Sequence, residues 1–544
     1  MGFIGTDIGN AIAAQLTRFA RPAKAFVSYP QPKSIGLPNR GMQLISGNFL
    51  FAGELVVVPD GSIWDAEPKT SAFAKDIHGF AWLDDLVALG TKDSKAISKD
   101  WLWHWIEHCG SGAGAGWSPH ITGRRVIRWV NHALLLLQGE PAERSVQYFK
   151  SLGHQASFLS RRWKAAPVGL PRFEALVGLV YCGLALETKT NLLEPALRSL
   201  GAECQKSIQS DGSIQSRNPE ELLQIFTLLT WAAQSLSDAG HVPHREHLLA
   251  MERIVPTLRA LRLGDGGLVY FHGGGRGREG LLDQTLADAS IRLDAYPLGG
   301  MGYARLSQSG VTVLVDTGDQ PTGALAHNSP LAFEVSAGKY PIFVNVGPGH
   351  YYGEEWHSAS AEVGAHNTVS ILGKAPEKNA EMGKNGEIPR PVVTHSENEE
   401  YQMLVCKHSG YVHTHGLEHF RTIDVARNGR IIRGRDRLVA EGADATNRFD
   451  NWMTFHGKYS MPINAHFHIH PDVDAQIGMN GRAVSLHLPD GTVWVFQSKN
   501  SKIEIQDSAY VEDGRLKMRA TKQIVVTSQA TDYEGSISWS LTRG

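Results

Sequence analysis

The stretch GAHNTVSIL, Gly364–Leu372, puts a histidine and an asparagine at the mouth of a run that reads as a strand, just after HYYGEEWHSASAEV, which reads as a loop. An imidazole at position 366 has three uses: to hold a turn, to bind a metal, or to work on a substrate. In AHFHIHPDV, His466, His468 and His470 alternate with Phe467 and Ile469, so three imidazoles share one strand face. That suits metal capture, or an exposed polar sheet face. His413 and His415 in GYVHTHGLEHFR carry the same two readings. GGGRGREG, Gly273–Gly280, hints at a phosphate cradle, but no GK[ST] follows and no strand–loop–helix unit surrounds it. Cys109, Cys182, Cys204 and Cys406 lie far apart without a CxxC pair, against a thiolate zinc site and a disulfide framework.

The elements that must position these groups change character along the chain. Up to about residue 265 the apolar spacing is helical. Val126, Ile127, Val130, Ala133, Leu134 and Leu137 share one face. Phe173, Leu176, Val177, Val180, Tyr181 and Leu184 share another, with Pro171 in the first turn. Asn218 caps a helix that starts at Pro219, Glu221 suits a capping box, and Gly240 suits its end. Helices are also expected near 7–20, 98–108, 142–165, 191–209 and 244–262, joined by short loops and therefore packed as antiparallel hairpins. After GDGG at Gly264 the period is that of strands. YARLSQSGVTVLVD reads as a hairpin about Ser309-Gly310, and RAVSLHLPDGTVWVF as one about Pro489-Asp490-Gly491. The expected fold is multidomain, α then β: helices over 1–280, then stacked antiparallel sheets over 281–544.

The bulk numbers agree with a folded enzyme or binding protein. The chain has 544 residues, 42% hydrophobic and 20% charged, with a net charge of −2, so neither nucleic acid nor an anionic membrane surface is favoured as a partner. Histidine, at 24 residues, is common enough for titration near neutral pH to matter. The apolar run Ala175–Leu186 is shorter than the roughly 18 residues needed for a membrane span. No secretory signal is recognised, so a cytoplasmic location is expected, with the periplasm as the alternative. Oligomeric state is not legible.

Several motifs come in family order: GWSPHITGRRVIRWVNHALLLL (116–137), DGSIQSRNPEELL (211–223), AHNSPLAFEVSAGKYPIFVNVG (326–347), GAHNTVSILG (364–373), HFHIHPDV (466–473) and SAYVEDGRLKMRATKQIVV (508–526). Together they resemble the heparinase II/III-like family from about residue 78 onward. The resemblance implies an incomplete (α/α) toroid of helical hairpins followed by a β-sandwich. It also implies a polysaccharide lyase that cleaves a uronic-acid-containing poly- or oligosaccharide by β-elimination. That reaction needs a neutraliser for the uronate carboxylate, a base for the C5 proton and an acid for the leaving oxygen.

By resemblance, His327 keeps the second histidine of the family's first β motif, while Leu325 replaces the first. His366 keeps the histidine of HNTV, and Asn345 stands where relatives often have aspartate. In some relatives that trio holds zinc, so His327 and His366 are candidate ligands of a structural zinc, although no cofactor is required for the reaction. The family's Asn-His on a toroid helix and its tyrosine after Ser-Pro are absent here. Arg217, Asn218 or Arg172 would then neutralise the carboxylate, and His327 would serve as base. A helix cap is the plainer role for Asn218, and a salt bridge for Arg217. Trp117, Arg125 and Trp129 offer guanidinium and indole to an acidic sugar, or stabilise a helical hairpin. Tyr351 and Tyr352, with Trp356, would stack on sugar rings at a cleft rim, or simply pack. Two rivals stand beside the lyase: a catalytically impaired carbohydrate-binding or assembly protein for bacterial surface polysaccharide, and a glycoside hydrolase. For the hydrolase, nothing in the spacing of Glu354, Glu355 and Glu362 marks a carboxylate pair.

Overall fold

The computed structural model describes residues 2–112, 114–376, 391–499, 501–512 and 514–544. The chain divides into two compact units. The first comprises Met1–Ser210, Glu221–Ile254 and Asp283–Ile291, and the second Asp211–Glu220, Val255–Leu282 and Arg292–Gly544. Residues 211–220 and 255–280, helical-half by sequence, thus cluster with the β unit, whereas Asp283–Ile291 clusters with the helices.

The first unit is built from helices whose starts and stops the sequence encodes. Pro119 opens Pro119–Asn131, and a proline lies in the first turn of Leu170–Ala185. Ala142–Arg162, Leu193–Ser207 and Lys92–His108 fall where periodicity expects them. Pro38–Ile45, Ser71–Gly79, Trp82–Leu89 and a small hairpin, Asn48–Phe51 with Glu54–Val57, were not legible: they are too short to show a period. Pro119–Asn131 and Leu170–Ala185 cross at two glycines. A Cβ on Gly178 would sit 2.5 Å from Gly123 Cα, and one on Gly123 would sit 2.2 Å from the Glu174 carbonyl oxygen. The two backbones therefore touch.

Among the described residues, the second unit contains three antiparallel sheets. The five-stranded sheet runs Gly299–Gly300, Tyr303–Gln308, Val311–Asp316, Phe333–Ala337, Tyr340–Phe343. The four-stranded sheet runs Lys502–Tyr510, Arg519–Ala530, Met461–His468, Val369–Ile371. In the eight-stranded sheet the order is Asp474–Gly478, Ala483–His487, Val493–Lys499, Glu534–Arg543, Ile431–Val439, Leu417–Ala426, Tyr401–Tyr411, Val392–Glu397. Leu417–Ala426 alternates buried and half-buried residues, the pattern of a strand with one face on a core. All three sheets contribute to one aromatic centre. Phe333 stacks on Trp539 at 5.5 Å and 7°, and Phe467 meets Phe343, Phe496 and Trp539. The HFHIH strand is a sheet interior: His468, Phe467 and Ile469 are all buried. The expectation of an exposed histidine face is corrected there: His468 and His470 are buried and His466 is half-buried.

Replacing Gly178 with alanine forces the two touching helices apart. We expect a loss of about 1–3 kcal/mol of stability, read as a lower urea midpoint. An unchanged midpoint would mean the crossing has slack.

Candidate functional site

Asp316, the last residue of an apolar strand, is fully buried in the second unit. Burial pushes its carboxyl up, but the Arg217 guanidinium, and then His272, more than offset this, so it stays ionised below the usual carboxylate range. Arg217 spends four N–H groups inside the protein: Nε on Met301 O (3.1 Å), one on Asp319 O (2.6 Å), one on Gly302 O (2.9 Å) and one on Asp316 Oδ1 (2.5 Å). The fifth lies against His272 Nε2 at 3.4 Å, and the guanidinium carbon sits 4.6 Å from the Tyr303 ring centroid. Four of its five N–H groups are committed, and the fifth faces the His272 ring inside the protein, so the fork is turned onto Asp316 and neighbouring carbonyls. The salt-bridge reading of Arg217 is the one realised, and its expected role as neutraliser is corrected. Asn218 caps the helix that begins at Pro219, accepting from Glu220 N–H at 2.9 Å, and donates to His272 O at 3.2 Å. It too acts as a structural group. Arg172 donates to Ala166 O.

His272 Nε2 lies 3.1 Å from Asp316 Oδ2, and its Nδ1 accepts from the His327 backbone N–H at 3.3 Å. The His327 ring stands 5.8 Å from His272 and 4.6 Å from His366, centroid to centroid. The structure therefore brings together the two histidines that the sequence singled out. Both are buried: His327 is 3% exposed and His366 not at all. Burial, reinforced by His366, His272, His350 and His357, holds His327 well below the ordinary imidazole range. Burial, then His272, holds His366 at about 3. Both rings are neutral at pH 7, and their partners fix the tautomers. His327 Nε2 accepts from Gly273 N–H at 3.0 Å, so its proton is on Nδ1. His366 Nε2 donates to Ser360 O at 3.0 Å, so its Nδ1 is a bare lone pair. Neither Nδ1 has a hydrogen-bond partner among the described residues.

These residues do not fit the zinc expected from sequence. Asn345 accepts from Asn367 N–H through Oδ1 and donates to Tyr270 O through Nδ2, so its side chain is committed to backbone. Each imidazole retains one uncommitted nitrogen, and no anionic ligand joins them. Among the described residues no three His, Cys, Asp or Glu side chains are grouped to hold a metal ion. Asn367 and Thr368, beside His366, also bind backbone: Nδ2 to Phe333 O, Oδ1 from His468 N–H, and Oγ1 to Pro330 O.

The expected sugar contacts in the first unit are corrected. Arg125 and Trp129 are wholly buried and Trp117 is 3% exposed. Arg125 donates to Gln155 Oε1, His78 O and Gly116 O, and lies 4.0 Å from the Trp105 ring centroid. Trp129 stacks on Tyr148, and Trp117 donates to Cys109 O. The face they share points into the helical unit, where carbonyls and aromatic rings replace water around the cation. Tyr351 and Tyr352 are half-buried. Tyr351 packs on His350 at 4.2 Å, and Tyr352 donates to Arg515 O at 2.8 Å. Asp316, His272 and Tyr303 were missed. The available signal was a lone aspartate ending an otherwise apolar strand, VTVLVD.

Comparison with known proteins agrees with this architecture. Residues 292–540 match the family model described as Heparinase II/III-like, C-terminal. It is 26% identical to FtsZ-localized protein C of Caulobacter vibrioides (strain NA1000 / CB15N), over 96% of this chain and 92% of that one. Among solved structures it resembles heparinase III with a TM-score of 0.71 at 12% identity, covering 98% of this chain and 89% of that one. It also resembles the heparan sulfate lyase from Pedobacter heparinus, at 0.56 and 13%, covering 99% and 88%. The Streptomyces coelicolor A3 chondroitin AC lyase matches at 0.53 and 11%, covering 98% and 79%. The fold is the toroid-plus-sandwich of polysaccharide lyases.

Two outcomes follow. Arg217→Met strands the Asp316 charge in the interior, and we expect a loss of about 3–5 kcal/mol in urea unfolding. Stability untouched by this change would show that the ion pair is dispensable. The second concerns pH. His327, His366 and His468, all buried, have folded pKa values below the unfolded 6.5. The unfolded chain binds more protons below pH 6.5, so stability is complete above that pH and falls as pH drops toward 3, by roughly 1.4 kcal/mol per unit for each histidine. Urea midpoints at pH 7.5 and pH 5 measure this, and equal midpoints would contradict neutral burial.

Proposed function

We propose that this chain is a saccharide-recognising assembly protein on a polysaccharide-lyase scaffold, and that it does not perform β-elimination through Arg217, Asn218 and His327. The observation that carries this reading is the commitment of four Arg217 N–H groups to Asp316 and the carbonyls of Met301, Asp319 and Gly302. With Arg217 held by Asp316 and Asn218 engaged as a helix cap, neither is available to lower the C5–H acidity barrier of a uronate. The ligand class is an acidic poly- or oligosaccharide, as the lyase likeness suggests. The name of the full-length Caulobacter relative supports an assembly role alongside FtsZ, with a cytoplasmic location.

The rival is elimination itself, favoured by the retained His327 and by neighbours that are lyases. One experiment separates them. Heparan sulfate, chondroitin sulfate and a glucuronate-containing tetrasaccharide are each mixed with the purified protein. Ultraviolet absorbance of unsaturated uronate and calorimetric heat are then recorded. Binding heat without new absorbance is expected. Growth of the absorbance band establishes the lyase instead, and no heat with any of the three removes saccharide recognition.

A further inference from the structure

His327 Nδ1–H and His366 Nδ1 form an unusual pair: one buried donor and one buried acceptor, on adjacent neutral rings and without partners among the described residues. A hydroxyl group matches them, because it accepts from one nitrogen while donating to the other. An ammonium has no lone pair for the His327 donor, and a carboxylate has no proton for the His366 acceptor.

What covers the pair is the segment that reads as a loop by sequence. It consists of a tight turn at Gly349–Tyr352, a helix at Glu354–Ala361 and a second turn at Val363–Ala365. Ser360 O holds the His366 ring, Asn328 N–H donates to Ala361 O, and His350 and His357 bear electrostatically on His327. Glu354, Glu355, Ser358 and Ala359 on the helix are exposed. The helix belongs to no sheet ladder, and its approach depends on Gly349. A Cβ there would lie 2.1 Å from Trp356 O, and the Gly349 N–H donates to Ser360 Oγ at 3.2 Å. Gly347 and Gly353, on either side of Gly349, have positive φ.

We propose that His327 and His366 form a subsite for one sugar hydroxyl, and that residues 349–365 are the lid that opens to admit it. This rests on the saccharide reading above. The lid's ties include Tyr352 to Arg515 O, Asn328 N–H to Ala361 O, His468 Nε2 to Gly364 O and Val346 N–H to Ala365 O, and local opening breaks these without global unfolding.

Diethyl pyrocarbonate acylation, read by peptide mass spectrometry, and amide hydrogen exchange test this on the full chain at neutral pH. His327 and His366 should acylate in step with exchange of amides 354–365, well ahead of exchange in Phe333–Ala337. Ser360→Ala, which removes an anchor, and Gly349→Ala, which inserts a wedge, should each raise both rates about threefold or more. A saturating glucuronate-containing tetrasaccharide should slow acylation at both rings. Acylation only in step with the sheet strands overturns the lid, and wild-type protein alone decides this if a variant fails to fold. Acylation indifferent to tetrasaccharide that calorimetry shows to be bound overturns the sugar subsite and leaves water as the occupant. Absence of binding heat sinks the saccharide reading itself, and the sugar occupant with it.

Discussion

A single buried charge, the Asp316 carboxylate, organises the chemistry of the second unit. An ionised group at zero exposure is untenable unless it is paired and hydrogen-bonded. The structure satisfies it with Arg217 and His272, and both residues adopt left-handed backbone to do so, with φ of 51° and 50°. Met301, whose carbonyl accepts from Arg217 Nε, sits at 54°. Non-glycine residues in that region cost about 1 kcal/mol or more each. All three meet one guanidinium, so the left-handed positions gather around the ion pair. His327 is then placed through its own N–H on His272, so the histidine pair inherits its position from Asp316.

The same logic runs through the rest of the sandwich interior. Arg421 is buried between Asp436 and the carbonyls of Leu331 and Asn367. Burial pushes the Asp436 carboxyl up, and Arg421 and His419 bring it down to about 2. His408 reaches His419, which reaches Asp436, so polar groups form a continuous path from the eight-stranded sheet toward Asn367. The path is not complete, since Arg421 Nη2 and Asp436 Oδ2 have no partner among the described residues, and a buried network with open groups stabilises less than a full one. It also gives the run His366-Asn367-Thr368 a structural role. Asn367 and Thr368 join backbone segments of different sheets, and His366 is carried along beside them.

Much of this architecture was legible in the sequence. Helix positions followed from caps and a 3.6 period, and hairpins from Ser309-Gly310 and Pro489-Asp490-Gly491. Short elements were not legible. Glu354–Ala361 has glycine at its cap and a row of small residues, so no period identifies it. The site was legible only in part. Motif order located His327 and His366, but pattern cannot say whether a guanidinium faces a groove or a carboxylate in the interior. Arg125 and Trp129, four apart on one helix face, illustrate this. The spacing is real, yet the shared face turns inward onto Trp105 and Tyr148. Arg217 failed for a related reason: its partner lies 99 residues away in sequence.

Charge decides what the histidine pair can hold. With asparagine at 345 in place of a carboxylate, the groups around His327 and His366 carry no net negative charge of their own, and Asp316 is already balanced by Arg217. A divalent cation placed there would lose its hydration without a compensating anion, a penalty of several kcal/mol or more. A hydroxyl loses two or three hydrogen bonds to water and regains two of fixed geometry. The replacement that removes the metal option is therefore the one that makes a neutral, directional site for a hydroxyl favourable.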